Sequence, residues 1–336
     1  MVEHLRAEDI ARLRAQPGRA AGLFITDRCP VGCAHCSVDS RRNSPTITDF
    51  ELFNELLVGL ASQQALELVA ITGGEPLVER RGVEIAARVL KQANKRLVLF
   101  TSGIWARREV AEWVRKLLRQ VDTVFLSTDR YHENTVNRQV FVKAARAIAE
   151  AGCWIVVQTL DRREDAQRAT YLLTEALGSS YSDYAEVVAS RPLAYGRAVG
   201  LFDVKDDAVR AQRFGACGLL GSQLVRYDGR VTACCNEQVI MGYGSQRLAR
   251  TCATSEELGN ALLEFKSDPL FRLVRSLGFE ALLLHPAFTA LGLSHENICR
   301  LCWAANDLLR NSVSPDDPLL YALATLGSEQ ETAIES

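Results

Sequence analysis

From residue 21 onward, short runs of β-branched and apolar residues alternate with longer stretches of helical period, and this alternation constrains the fold most. Strand-like runs occupy 23–26, 66–72, 96–102, 123–128, 154–159 and 185–190. Helical periodicity predicts helices over 48–62, 79–95, 105–120, 136–151 and 163–177. In the first of these, Phe50, Phe53, Leu56, Leu57 and Leu60 share a face, with Thr48 expected as the N-cap and Glu51 completing a capping box. Gly152 and Gly178 follow two of the helices, where helix stops are expected. Strand-then-helix units in series mean parallel strands joined by crossover helices, an α/β architecture. Near-continuous apolar strands fit a sheet covered on both faces. Six units suit either an open doubly wound sheet or an incomplete barrel. In both, ligands bind at the loops after the strands' C-terminal ends. The pattern breaks near Arg191-Pro192. Downstream, Tyr227-Asp228-Gly229 between apolar runs reads as a hairpin with an Asp-Gly turn, and 255–267 reads as a helix. The expected organisation is an N-terminal helical extension (1–20), a main α/β unit (21–200), a smaller α+β unit (201–312) and a weakly structured tail (313–336).

Charge and hydropathy narrow the partners. With 39 basic against 41 acidic residues there is no cationic excess, so nucleic acid is not the expected partner. No apolar run reaches the ~18–20 residues that span a bilayer, so no membrane association is expected. The charged start, MVEHLRAEDIARLRAQ, lacks the apolar core of a secretory signal, and a reducing cytoplasm is expected. In that setting ten cysteines call for an explanation, and seven of them fall into three groups: Cys29, Cys33 and Cys36; Cys234 and Cys235; Cys299 and Cys302. Clustered thiols without disulfides read first as metal or cluster ligands.

The loop after the first strand carries Cys29-x3-Cys33-x2-Cys36. Structural zinc usually takes four protein ligands, whereas a [4Fe–4S] cube held by three thiolates keeps one iron open to an outside ligand. After the second strand comes Thr72-Gly73-Gly74-Glu75-Pro76. Its glycines permit close backbone approach, and its carbonyls and the Glu75 carboxylate suit an ammonium group, which only donates.

These two motifs, in this order and separation, resemble those of the radical S-adenosylmethionine (SAM) superfamily. His35 stands where that family usually has an aromatic ring. The resemblance covers roughly residues 21–200. It implies a partial (β/α)6 TIM-like barrel and a [4Fe–4S] cluster on Cys29, Cys33 and Cys36, whose open iron takes the amino and carboxylate groups of SAM. Gly73, Gly74, Glu75 and Pro76 would then line the SAM site, with Ser102, Ser127 and Gln158 as further contacts. The alternative for the serines is helix capping.

Asp129, Tyr131 and His132 follow the fourth strand and are the best candidates for a substrate-facing, proton-handling element, with a solvated loop as the alternative. Glu186 and Arg191 are expected to face the same cavity.

Cys217, followed by Gly229 and Cys234 and later by Cys299-x2-Cys302, resembles part of a SPASM domain in its shortened "twitch" form, with Leu308 where a further cysteine would stand. The resemblance implies an auxiliary [4Fe–4S] cluster on Cys217, Cys234, Cys299 and Cys302, with Cys235 or Cys252 as possible replacements. A zinc ribbon fits four thiolates equally. Cys153, Cys235 and Cys252 are otherwise left over. Cys235 or Cys252 is a candidate hydrogen donor to a product radical, against the plainer reading of a buried small side chain.

The activity implied is reductive cleavage of SAM to a 5′-deoxyadenosyl radical. That radical would take a hydrogen from a small polar substrate, such as a sugar, aminosugar or nucleoside intermediate of natural-product biosynthesis, leading to dehydrogenation, epimerisation or decarboxylation. An electron donor such as flavodoxin or ferredoxin is the implied partner. With about twenty residues before the first strand, a leader-binding domain is not expected, which favours a small substrate over a ribosomal precursor peptide. The alternatives are a peptide maturase forming thioether or carbon–carbon links, and a non-catalytic metal-binding scaffold.

Overall fold

The structure is a computed structural model and describes residues 4–202, 209–312, 314 and 317–334. Helix α1 (Ala7–Ala15) precedes strand β1 (Ala20–Phe24). Then come α2 (Phe50–Ser62), β2 (Leu68–Thr72), α3 (Arg80–Gln92), β3 (Arg96–Thr101), α4 (Glu112–Leu118), β4 (Thr123–Ser127), α5 (Arg138–Glu150), β5 (Trp154–Leu160), α6 (Arg163–Leu177) and β6 (Ala185–Ser190). The smaller unit comprises β7 (Val209–Arg210), β8 (Leu220–Arg226), β9 (Arg230–Cys234), α7 (Glu237–Ile240), β10 (Ala249–Thr251), α8 (Ser255–Ser267), α9 (Pro269–Ser276), α10 (Phe279–Leu282), β11 (Ser294–His295), α11 (Ile298–Ser312) and α12 (Pro318–Ile334).

Strands β1 to β6 lie side by side and parallel. The expected Asp228-Gly229 hairpin forms, and its first strand, β8, pairs in parallel with β1. The result is one open sheet in the order β10-β9-β8-β1-β2-β3-β4-β5-β6. The hairpin of the smaller unit therefore extends the edge of the barrel, a long-range pairing that no local pattern announces.

Alternation along the strands sorts the core into two faces. Val69, Leu97, Val124 and Ile155 pack outward under the helices. Leu68, Val98, Phe125, Trp154 and Val156 point inward, where Leu5 and Ile10 of the N-terminal segment fill the floor of the barrel. Glu186 belongs to this floor: it accepts from the Ala7 N–H (2.9 Å) and from Trp154 Nε1 (2.7 Å), instead of facing the loops as expected.

Four local expectations are corrected. The first strand begins at Ala20, because Ala20, Ala21 and Gly22 carry little β signal, yet a Cβ at Gly22 would lie 2.9 Å from Leu224 on β8. Asp49, not Thr48, caps α2, accepting from the Glu51 and Leu52 N–H groups. The helix expected over 105–120 shortens to α4, with one 3-10 turn at Ile104–Arg107 before an extended Arg108. There the Arg107 guanidinium and Lys143 bond the carbonyls of Thr135 and Arg108. The tail contains α12, whose Leu320, Leu323 and Ala324 form a buried stripe at helical spacing.

Candidate active site

The loop after β1 presents Cys29, Cys33 and Cys36 to a cavity of about 370 Å³ at the C-terminal ends of the parallel strands. The loop is held from several sides. The Cys29 N–H bonds the Arg41 carbonyl, and the Ser40 N–H points at Cys36 Sγ (3.4 Å). Arg197, in the connector after β6, donates to the carbonyls of Cys33 (3.0 Å) and Ser40 (2.6 Å) and to Asp39 (2.9 Å). Nothing in the sequence separates Arg197 from an ordinary surface cation, apart from the neighbouring glycine. That glycine, Gly196, has φ +56° and no room for a Cβ, which would meet the Cys36 carbonyl at 2.6 Å.

The glycines of the second motif have the same cause. Gly74 N–H bonds the Thr26 carbonyl (2.7 Å) and Glu75 N–H bonds the Arg28 carbonyl (2.8 Å), so the turn after β2 lies directly on the start of the cysteine loop. A Cβ on Gly73 would come within 2.6 Å of the Thr26 oxygen, and one on Gly74 within 2.3 Å of the Arg28 oxygen. Gly73 and Gly74 line the cavity; Glu75 and Pro76 do not. The Glu75 carboxylate is buried and already accepts from Thr101 Oγ1 (2.7 Å), Ser102 Oγ (2.6 Å) and the Ser102 N–H (2.9 Å). Burial raises its pKa, against those donors. Its geometry is that of a tie between β2 and β3, not the free ammonium acceptor expected, and Pro76 starts the following 3-10 turn.

Ser102, Ser127 and Gln158, at the ends of β3, β4 and β5, do reach the cavity, as do Asp129, His132 and Arg191. Asp129 Oδ1 accepts from the N–H groups of Tyr131 (2.7 Å) and His132 (3.2 Å), folding the loop back on itself. Its Oδ2 meets His132 Nδ1 at 2.8 Å and His35 Nε2 at 3.2 Å. Burial opposes the charge on Asp129, yet the two histidines hold its carboxyl well below the usual range. Burial likewise opposes charge on His132, but Asp129 and the Cys33 sulfur push it up to about 10. Both groups line the cavity, as expected of a substrate-facing element, and both are also bonded to the cysteine loop. Tyr131 is off the cavity wall, packed between His35 and Phe202.

Residues 23–161 match the family described as the radical SAM superfamily. That segment is a radical SAM domain. Among curated relatives, the chain is 24% identical over 117 residues to YydG of Bacillus subtilis strain 168, named for peptide biosynthesis, and 32% identical over 111 residues to a GTP 3′,8-cyclase of Shewanella denitrificans. These matches cover 34% and 32% of this chain, and the chain spans 37% and 32% of those relatives' lengths. Among solved structures, SuiB of Streptococcus suis bound to S-adenosylmethionine superposes with a TM-score of 0.52 at 12% identity, covering 93% of this chain and 80% of that one. The peptide-bound anSMEcpe gives 0.50 at 14%, covering 91% and 99%. At such identities the likeness is one of fold.

The radical SAM domain fits its family's cofactors, a [4Fe–4S] cluster and SAM. Three thiols from one loop face a cavity whose other walls offer glycine backbone, Ser102, Ser127 and Gln158. A second space of about 320 Å³ shares Gly73, Phe100, Gln158 and Glu237 with the first and is floored by Ile10 and Arg14 of α1. Glu237, which sequence reading missed, opens α7 and borders both spaces; burial raises its carboxyl. Cys235 borders the inner space, and Arg14 donates to its sulfur (3.1 Å).

In the smaller unit, Cys217, Cys234, Cys299 and Cys302 come from three distant segments and lie close enough that each of Cys234, Cys299 and Cys302 feels the charge of others in the set. Burial pushes the Cys299 thiol up to about 11. Amides of Asn236 and Asn306 point at the sulfurs of Cys299 (3.4 Å) and Cys302 (3.5 Å). Cys252 is elsewhere, its N–H bonded to the Gly229 carbonyl (2.8 Å) beside α8, and it borders neither space.

Proposed function

We propose that this chain is an enzyme that splits SAM reductively and removes a hydrogen atom from a small polar substrate held in the inner space above α1. The observation that carries the proposal is convergence: three cysteines of one loop and polar groups from the ends of β2 to β5 face one cavity, with a second space directly behind it. The bound cluster and SAM supply a 5′-deoxyadenosyl radical as the hydrogen acceptor.

The chain's own residues bind, orient and exclude water. Carbonyls of the Gly73–Gly74 turn take the SAM ammonium, the role that Glu75 is too fully bonded to fill. Ser127 and Gln158 take its carboxylate and ribose, while Ser102, whose hydroxyl and N–H both go to Glu75, lines the wall beside them. Phe100 and Phe125, stacked at 4.5 Å, form a dry wall beside the inner space. Its size, about 320 Å³, suits one small molecule, and its polar groups, among them Arg14, Gln158, Cys235 and Glu237, suit hydroxyl or amine groups. Cys235, which borders that space, would give its thiol hydrogen atom to a product radical, and the thiyl left behind would be restored by one electron from the donor protein and one proton. Cys217, Cys234, Cys299 and Cys302 would hold an auxiliary [4Fe–4S] cluster, and a ferredoxin- or flavodoxin-type protein would supply the electron.

The relative named for peptide biosynthesis supports a second reading, in which a side chain of a precursor peptide enters the same space. Anaerobic assays of 5′-deoxyadenosine, with deuterated nucleosides and aminosugars set against precursor peptides, separate the two. Deuterium arriving in 5′-deoxyadenosine from a small molecule supports the first. Transfer from peptides alone rejects it.

A further inference from the structure

The cysteine loop and the loop after β4 meet in a buried cluster of polar side chains. Among the described residues, one trio brings its donor atoms within 4.8 Å of one another: Cys33 Sγ and one ring nitrogen each of His35 and His132. Asp129 organises that trio. One of its oxygens is spent on its own loop's N–H groups, at 2.7 and 3.2 Å, which fixes the carboxylate's direction. The other is shared by His132 Nδ1 and His35 Nε2. The side chains of Asp129 and His132 are 4% and 11% exposed, so water competes little for these bonds.

A carboxylate only accepts, so it fixes which face of each ring is turned to it. With Nδ1 on Asp129, the opposite nitrogen of His132 is the one free to address Cys33. Hydrogen bonds to ligating sulfurs withdraw electron density and favour the reduced, more negative cluster, one of the levers by which a protein sets cluster potential. His35 lies inside the C-x3-C-x2-C segment itself, so its bond to Asp129 ties the loop to β4.

We infer that His132, oriented by Asp129, donates a hydrogen bond to the Cys33 sulfur and thereby raises the reduction potential of the cluster the cysteine loop holds, with His35 fixing the distance. This rests on the reading of that loop as the SAM-binding cluster site. His132 and Asp129 are thus positioning residues.

The test is a potentiometric titration of the anaerobically reconstituted full chain, followed by electron paramagnetic resonance and read on the signal that shifts when SAM is added. The expected result is that His132→Phe makes this cluster at least tenfold harder to reduce, ~59 mV lower for a one-electron couple. His132→Gln, which keeps an N–H donor, recovers most of that loss. Equal potentials in wild type and His132→Phe, or equal losses in the Phe and Gln variants, overturn the inference while leaving the SAM reading intact. Should His132→Phe not hold iron, pulsed resonance on wild-type chain labelled with ¹⁵N-histidine decides: a weak nitrogen coupling to the reduced cluster supports the bond, and none removes it. One tightly held zinc released by His132→Phe also overturns it, since the trio would then be metal ligands. A wild-type chain with no SAM-responsive signal removes the underlying reading and this inference together.

Discussion

Arg226 and Asp27, 199 positions apart, form a buried two-pronged ion pair, with guanidinium nitrogens 3.1 and 2.9 Å from the two carboxylate oxygens. Arg226 ends β8 and Asp27 stands two residues before Cys29, so the pair fastens the hairpin of the smaller unit to the root of the cysteine loop. Tyr227 Oη adds a third donor to the same carboxylate (2.8 Å). Replacing Arg226 by Met leaves Asp27 buried without its cation. The expected cost is about 3–5 kcal/mol, read from urea unfolding of the apo chain. A loss under about 1 kcal/mol would mean that the pair is effectively solvated.

Gly74→Ala tests the contact between the two motifs. Its methyl group would lie 2.3 Å from the Arg28 oxygen, so the turn after β2 and the cysteine loop must separate. Reconstituted iron is expected to fall by more than half, with weaker SAM binding in equilibrium dialysis. Gly152→Ala, at a helix end where nothing lies within 4 Å of the added carbon, is the control. It strains only the local backbone and should leave both readings unchanged.

Arg197 closes the cysteine loop from the other side. Arg197→Ala removes charged donors from the Cys33 and Ser40 carbonyls, a loss of about 1.5–3 kcal/mol. The pH dependence follows from Asp39, whose carboxyl is lowered first by Arg41 and then by Arg197. Its folded value lies below its unfolded one. Its contribution is therefore present above the ordinary aspartate value of about 3.9 and fades as pH falls through the folded value. Urea midpoints should drop below about pH 4 in wild type and do so less in the variant. Identical acid limbs in the two chains would contradict the clasp.

Much of this was legible in the sequence, and the limits are physical. Strands from β2 to β6 are visible because sheets buried on both faces need apolar runs, and Gly152 and Gly178 mark helix ends because both take φ of +85°. The helix over 255–267 is present with those bounds, its first turn capped by Thr254. The three thiols and two glycines of the site were readable because their spacing carries their chemistry. Arg197, Arg226 and Glu237 were not, since a charged side chain declares a partner only once the chain has folded. The pairing of β8 with β1 depends on contacts some two hundred residues apart, and no local window contains it. Asp129 and His132 were found, but their partner His35 was not read as bonding to them, so their attachment to the cysteine loop was missed.

The ten cysteines sort by position. Replacing any one of Cys217, Cys234, Cys299 or Cys302 by Ser should lower iron from about eight to about four per chain, the content of one [4Fe–4S] cluster. Cys153→Ala and Cys252→Ala should leave iron unchanged: burial pushes these thiols up to about 12 and 11, and Cys153 Sγ is occupied with the Leu118 carbonyl (3.0 Å). Full iron in the Cys217 and Cys302 variants, or zinc in its place, would remove the auxiliary cluster.

The most direct test of the whole account is 5′-deoxyadenosine formation by the anaerobically reconstituted chain given SAM and dithionite, beside Cys33→Ala prepared in the same way. The account predicts product from the wild type and none above background from the variant. An iron-loaded wild type that leaves SAM intact, or a variant that cleaves it equally well, would contradict it.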